Sequence, residues 1–225
     1  MNRPYMYYDG DSFSCRLNEN ETRTTGHFLA SKFNWKLDHY GHDGKTVDKI
    51  IRSSQRYSWE KPGSFMFIGI GVPLRLEQYK NSDKGFANYK YKFYPQEHSV
   101  ETVSIQNFDS KENLDMFDDQ FLQTTTLFKL VALHDFLLYN KIDFVIHNLG
   151  WNYKVDEFPL AQGLCDEVNR RPRMLNFFEC SLHDLMQLNN NKPLDYGEFG
   201  WNGHPDEAGH EMYADFLEEN IKQYV

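Results

Sequence analysis

A serine and a histidine stand in short motifs at opposite ends of this 225-residue chain. Ser12 follows the apolar run 4–8 in a Gly-Asp-Ser-Phe motif, a pattern that predicts a serine at the tip of a strand. His204 lies in a Gly-His-Pro motif, about one helix length before the last residue. A serine hydroxyl is a weak nucleophile until a base takes its proton, so a Ser-His pair is the minimum for acyl transfer. If the two motifs meet in the fold, they predict a serine hydrolase.

The length and composition predict a single domain over residues 1–225. The net charge is −9, from 24 basic and 33 acidic residues. That balance argues against general binding of nucleic acid or anionic membranes, because both reward a positive surface. Three scattered cysteines are too few for a disulfide framework or a zinc site. With no recognisable signal peptide and no membrane-length apolar run, we expect a cytoplasmic protein.

Segments with strand and helix patterns alternate along the chain. Strands are predicted at 5–8, 35–40, 64–70 and 142–147, and helices at 21–33, after the N-cap candidate Thr46, at 117–139 and at 204–221. Within the third helix, the predicted core residues are Phe121, Phe128, Leu130, Val131 and Leu138. The alternation predicts a parallel sheet covered by helices on both faces.

Two stretches depart from this alternation. Residues 76–115 are polar and predict an insertion with irregular or hairpin structure. Lysines alternate there with aromatic residues around 84–93, a pattern that suits stacking on sugars or single-stranded nucleic acid, or a half-buried edge strand. The net charge favours the edge strand. Residues 148–200 predict a loop-rich segment with one or two short helices at 173–187.

The candidate site residues fall after predicted strands. Ser12 and Gly71 follow strands directly, and Gly44 lies a turn beyond one. Because ligands of such sheets bind beyond the carboxyl ends of the strands, we expect these three residues around one crevice.

The order of these motifs resembles the SGNH (GDSL-type) hydrolases over most of the chain. The Gly-Asp-Ser and Gly-His-Pro motifs carry the likeness, together with the glycine-bearing turn 41–46. The nearest likeness is to divergent, compact members from tailed-phage genomes, for which the setting would be the host cytoplasm. The resemblance implies a three-layer α/β/α sandwich with a flavodoxin-like parallel sheet. It also implies hydrolysis of an ester of a small molecule or carbohydrate, with no cofactor and no metal.

The resemblance also assigns roles to residues. Ser12 would be the nucleophile and His204 the base, and the backbone amides of Ser12 and Gly44 would hold the oxyanion. The family's third oxyanion donor is an asparagine, but Gly71 stands at its place. The Gly71 amide or the Arg75 side chain would then supply that contact.

A second departure concerns the acid of the triad. The family places it three residues before the histidine, where this chain has Trp201. The sequence therefore predicts a Ser-His dyad, with Asn202 or a backbone carbonyl orienting the imidazole of His204. Asp195 and Glu198 lie a few residues upstream.

Two other functions compete with this hypothesis. The two departures favour a catalytically inactive SGNH-like binding or structural protein. The acids and histidines in 204–211 suggest a metal-dependent hydrolase, although their spacing does not match a HExxH site. We expect His210, on the last helix, to have a structural role only.

Overall fold

The computed structural model describes residues 4–15, 23–42, 45–71, 73, 75–79, 100–104, 119–150, 159–175, 177–178, 181–182, 184–185 and 204–225. The strands within them are β1 (Tyr5–Asp9), β2 (Lys36–His39), β3 (Phe65–Ile70), β4 (Arg75–Tyr79), β5 (Val100–Ser104), β6 (Asp143–Asn148) and β7 (Met174–Leu175). The helices are α1 (Thr25–Phe33), α2 (Val47–Glu60), α3 (Asp119–Tyr139), α4 (Pro159–Arg170) and α5 (Glu207–Ile221).

Five of these strands form one parallel sheet in the order β2-β1-β3-β6-β7. Tyr8 of β1 pairs with His39 on one side and with Phe67 on the other, and Phe67 pairs in turn with Val145. This order is the flavodoxin-like arrangement, with β1 inside the sheet. The predicted flavodoxin-like sheet is confirmed.

The sheet separates two apolar layers. In β1, Tyr7 packs in the layer that contains α2, α3 and α4, whereas Met6 and Tyr8 pack in the layer that contains α1 and α5. In β3, Met66 and Phe67 divide between the same two layers. Successive side chains of a strand point to opposite faces, so a strand buried on both faces is apolar throughout. This arrangement is the predicted three-layer sandwich.

Side-chain caps set where two of the helices begin. Thr46 accepts a hydrogen bond from the Lys49 N–H at 3.1 Å, so it is the predicted N-cap of α2. Asp206 accepts one from the Gly209 N–H at 2.8 Å and begins α5 at Glu207, later than the predicted start at His204. His204 therefore precedes the helix.

The predicted core of α3 is wrong at three positions. Phe121, Phe128 and Leu138 are 47%, 64% and 50% exposed, whereas Leu130 is fully buried. The face that packs on the sheet carries Leu127, Leu130, Leu133 and Leu137. These residues follow the i, i+3, i+4 spacing of one helical face. Apolar residues on the other sides of α3 obscured that face in the sequence.

Two elements were missed in the segment predicted to be loop-rich. Helix α4 packs on α3 and buries Cys165 and Val168. Strand β7 has only two residues, which pair with Ile146 and His147 of β6. A two-residue strand is too short to show a sequence period, and its position depends on the neighbouring strand.

A separate antiparallel pair joins β4 to β5, with Arg75 opposite Ser104. These strands flank much of the predicted insertion 76–115. Its remaining residues, 80–99 and 105–115, lie outside the described residues.

The two faces of α3 predict opposite responses to truncation. We expect Leu130→Ala to lower the free energy of unfolding by about 2–5 kcal/mol, because it leaves a cavity in the core. We expect Phe128→Ala to change it by no more than about 0.5 kcal/mol, because that ring is exposed. Urea unfolding of both variants measures the difference, and equal losses would contradict the assigned face.

Candidate active site

The turn that carries Ser12 follows β1 directly. After Asp9 and Gly10, a single 3-10 turn spans Ser12–Ser14. Asp11 caps this turn: its Oδ1 accepts from the Phe13 N–H at 3.1 Å, and its carbonyl accepts from the Ser14 N–H at 2.9 Å. These bonds hold Ser12 at the carboxyl end of β1, on the edge of the sheet where such folds place their ligands.

The fold brings His204 to Ser12 across 192 residues of sequence. The Nε2 atom of His204 lies 2.9 Å from Ser12 Oγ, and both side chains are buried. The Phe13 ring stacks on the imidazole, with centroids 4.5 Å apart and planes inclined by 27°. This stacking restrains the plane of the imidazole.

Residues 40–42, which follow β2 in the loop to α2 and are described, lie against the same turn. The His42 N–H donates to the Gly10 carbonyl at 3.2 Å. Just before this loop, His39 Nε2 donates to the Ser14 carbonyl at 2.9 Å. A Cβ atom added at Gly41 would lie 2.4 Å from Ser14 Oγ, so a larger residue there would require the Ser14 side chain to shift. Gly44, the second predicted oxyanion donor, belongs to this loop but lies outside the described residues.

Gly71, the third predicted oxyanion donor, lies beside the cap of the serine turn. A Cβ atom added at Gly71 would lie 1.8 Å from Asp11 Oδ2. The Asp11 carboxylate therefore occupies the space that a side chain at position 71 would need. An asparagine at Gly71 is incompatible with this position of Asp11, which gives a physical reason for the departure from the family pattern.

Other predicted site residues lie outside the described part of the chain. These are Trp201 and Asn202, the Arg75 side chain, and the upstream acids Asp195 and Glu198. The role of Asn202 in orienting the imidazole stays a prediction.

Comparison with solved structures places this arrangement in a known fold. A protein of Desulfitobacterium hafniense DCB-2 assigned to the G-D-S-L lipolytic family matches with a TM-score of 0.52 and 11% identity, over 96% of this chain and 99% of that chain. LAE5, an alpha/beta hydrolase enzyme from the metagenome of Lake Arreo in Spain, matches with a TM-score of 0.51 and 13% identity, over 97% and 95%. The chain has the SGNH (GDSL-type) hydrolase fold.

A protein of Lactobacillus plantarum also matches, with a TM-score of 0.52 and 12% identity, over 100% of this chain and 99% of that chain. No family model and no curated protein matches the sequence. Sequence identities this low show a similar fold and not a similar activity. Any inference about activity must therefore be argued from the residues of the site.

Two histidines, His147 and His210, are buried in the fold, and the sequence did not predict the burial of His147. His210 Nδ1 lies 2.9 Å from Thr25 Oγ1, and His147 Nδ1 lies 2.7 Å from Tyr213 Oη. Burial lowers the pKa of both imidazoles from 6.5 to about 3. Both are therefore neutral at pH 7, and a structural role of His210 stays a prediction.

The cluster 204–211 does not converge on one point. His204 contacts Ser12, whereas His210 contacts Thr25 on α1. Among the described residues, no three His, Cys, Asp or Glu side chains are placed to hold a metal ion. None of the described helices combines the length and apolar character needed to cross a membrane.

Two charged residues of the site were also missed. Asp9 and Lys45 form a buried ion pair next to the serine turn. The one available signal was a carboxylate at the end of an otherwise apolar strand.

The buried histidines predict a loss of stability in acid. Between pH 6.5 and 3 the unfolded chain binds protons at His147 and His210 that the folded chain does not, so stability falls as the pH falls through this window. We expect His210→Gln to reduce this dependence by up to about 1.4 kcal/mol per pH unit. Urea unfolding at pH 4.5–6.5 measures the slope, and an unchanged slope would contradict protonation only on unfolding.

The contact between Gly71 and Asp11 predicts that a methyl group is not tolerated. We expect Gly71→Ala to destabilise the protein by about 1–3 kcal/mol, because Asp11 must move. The matched control is Gly163→Ala in α4, where an added Cβ meets no atom within 4 Å. That change should stabilise the protein by up to about 1 kcal/mol, because alanine is the better helix former. Thermal unfolding measures both, and equal effects would contradict the close approach.

Proposed function

We propose that this protein is a serine esterase of the SGNH type, acting on an ester of a small molecule or carbohydrate. The observation that carries the proposal is the 2.9 Å contact between His204 Nε2 and Ser12 Oγ. A hydroxyl and an imidazole nitrogen at this distance can exchange a proton, which is the first requirement of the chemistry. Two matched structures named as a lipolytic protein and a hydrolase support the same class.

The reaction would proceed through an acyl-enzyme. Ser12 Oγ attacks the ester carbonyl carbon while its proton passes to His204 Nε2. The tetrahedral intermediate collapses, and the departing alcohol takes that proton from His204. Water then attacks the acyl group on Ser12 and gives a proton to His204. Release of the acid returns that proton to Ser12 Oγ.

The oxyanion formed at each attack needs hydrogen-bond donors. We propose the backbone N–H groups of Ser12, Gly44 and Gly71. The choice of Gly71 is supported by its position beside Asp11, the residue that caps the serine turn. Donors of this kind stabilise charge that exists only in the transition state, and the loss of one costs about 2.7–4 kcal/mol.

The orientation of His204 would depend partly on Phe13. A side chain three residues before the histidine normally fixes the imidazole in this fold, and Trp201 stands there. The stacked Phe13 ring restrains the plane of the imidazole. An aromatic face also favours a positive charge above it, which suits the imidazolium formed after proton transfer. Asn202 remains the proposed polar partner.

The proposed setting is a reducing compartment such as the cytoplasm. Three scattered cysteines are too few for a disulfide framework, and the thiol of Cys165 is buried. The net charge of −9 argues against nucleic acid as a partner, because the phosphate backbone favours a positive protein surface.

The dyad predicts loss of ester hydrolysis on removal of either group. We expect Ser12→Ala and His204→Ala each to lower kcat for p-nitrophenyl acetate and butyrate by about a thousandfold or more. The control Ser53→Ala removes a hydroxyl that bonds within α2, away from the site, and should keep wild-type rates. Steady-state kinetics on folded protein measures the effect.

The alternative function is tested by the same proteins. Suppose the wild type hydrolyses neither ester and a fluorophosphonate leaves Ser12 unmodified. The esterase proposal then fails, and the preferred interpretation becomes a catalytically inactive binding or structural protein with an SGNH-like fold.

A further inference from the structure

A buried polar contact ties the helix that follows His204 to the first helix of the chain. Thr25 is the first residue of α1, His210 lies in the first turn of α5, and both are completely buried. His210 Nδ1 lies 2.9 Å from Thr25 Oγ1, and the Thr25 hydroxyl also donates to the His210 carbonyl at 3.3 Å. A hydroxyl has one proton to donate and lone pairs that accept. Thr25 can therefore bind the side chain and the backbone of His210 at the same time.

The first turn of α5 connects this contact to His204. Asp206 caps the helix, and its carboxylate accepts from the Gly209 N–H at 2.8 Å. Its carbonyl accepts from the His210 N–H at 2.9 Å. Residues 206–210 thus form one hydrogen-bonded turn, and His204 lies two residues before it. A shift of His210 relative to α1 would therefore move the backbone that carries the His204 imidazole.

The first turn of α1 lies directly on the strand that presents Ser12. A Cβ atom added at Gly26 would lie 2.8 Å from the Tyr8 ring, so the backbone of α1 is in close contact with β1 at this point. Tyr8 is four residues before Ser12. The contacts therefore form a closed path from β1 through α1 and α5 to His204, and from His204 back to Ser12.

A second set of contacts joins the same turn of α1 to the serine turn. The His27 side chain belongs to the cap of α1, and the centroid of its ring lies 5.7 Å from that of His39. His39 Nε2 donates in turn to the Ser14 carbonyl at 2.9 Å. The first turn of α1 is therefore linked to both segments of the site, the one that carries Ser12 and the one that carries His204.

Apolar packing defines the position of α5 along α1 less sharply than a hydrogen bond does. The two helices pack in one apolar layer that includes Leu29, Ala214 and Leu217. Hydrophobic burial is non-directional, whereas a hydrogen bond weakens steeply with distance and angle. If α5 slid along α1, Thr25 and His210 would lose each other, which is costly for polar groups buried away from water. Their contact therefore favours one placement of α5.

We propose that Thr25 and His210 are positioning residues that hold His204 within hydrogen-bond distance of Ser12 Oγ. This inference rests on the esterase function proposed above. Neither side chain touches substrate or the reacting atoms in this account. The role matters here because Trp201 stands where a triad acid would otherwise hold the imidazole. A displacement of about 1 Å at a reacting pair can cost about a hundredfold in rate.

Three variants separate positioning from stability. Thr25→Val removes the hydroxyl and keeps the branched shape, whereas Thr25→Ser keeps the hydroxyl and loses one methyl group. The double variant Thr25→Val with His210→Met makes both partners apolar, so neither is left as an unpaired polar group. The matched control is His134→Met in α3, which removes a buried histidine whose Nε2 lies 2.9 Å from the Pro172 carbonyl.

The readouts are kcat, KM and the rate of fluorophosphonate attachment to Ser12, each per folded chain and well below the unfolding temperature. We expect kcat and the fluorophosphonate rate to fall by about 10- to 100-fold in Thr25→Val and in the double variant, because the directional bond is absent from both. KM should stay within about twofold, since no substrate contact is removed. Thr25→Ser and His134→Met should keep kcat within about twofold of the wild type.

Wild-type kcat in folded Thr25→Val would overturn the proposal. An equal loss in Thr25→Ser would also overturn it, because packing at position 25 and not the hydroxyl would then be responsible. A loss in Thr25→Val that disappears in the double variant would do the same, since an apolar pair would then serve equally well. Failure of the wild type to react with the fluorophosphonate is a different outcome, which removes the esterase function and this inference with it.

Discussion

Parallel pairing of β1 with both β2 and β3 is the constraint on which the site depends. It puts the carboxyl ends of three strands at one edge, so the turns that follow them must lie side by side. The residues after β1, β2 and β3 carry Ser12, Gly44 and Gly71. α5 packs on α1 beside β1, and this packing brings His204 back to the same edge. The Ser-His contact is therefore a consequence of sheet order and helix packing together.

Two buried carboxylates, those of Asp9 and Asp11, lie beside Ser12, and local hydrogen bonds engage both. The Asp11 carboxylate caps the serine turn. The Asp9 carboxylate accepts hydrogen bonds from Lys45, Tyr7 and Gly10. Each carboxylate thus holds a backbone segment and is engaged before any substrate arrives. Buried polar groups that are fully bonded make a turn rigid. A rigid turn is what a nucleophile with narrow distance tolerances requires.

The sequence was informative where pattern and position agree. The short apolar strands and the Thr46 cap predicted the alternation of strands and helices, and with it the sheet. The order of the glycine, serine and histidine motifs identified Ser12 and His204 as candidate site residues. The buried face of α3 and strand β7 were not predictable, because one is apolar on several sides and the other has two residues. The Asp9–Lys45 pair and the Gly71–Asp11 contact join segments distant in sequence, and no local pattern encodes such contacts.

The central claim is that His204 activates Ser12 as a nucleophile. The most direct test is peptide mass spectrometry after treatment of the folded protein with a fluorophosphonate, with Ser14 in the same turn as an internal comparison. The account predicts one adduct per chain, on Ser12 and not on Ser14, and no adduct in His204→Ala. An unmodified Ser12, or equal modification of Ser12 in His204→Ala, would contradict it.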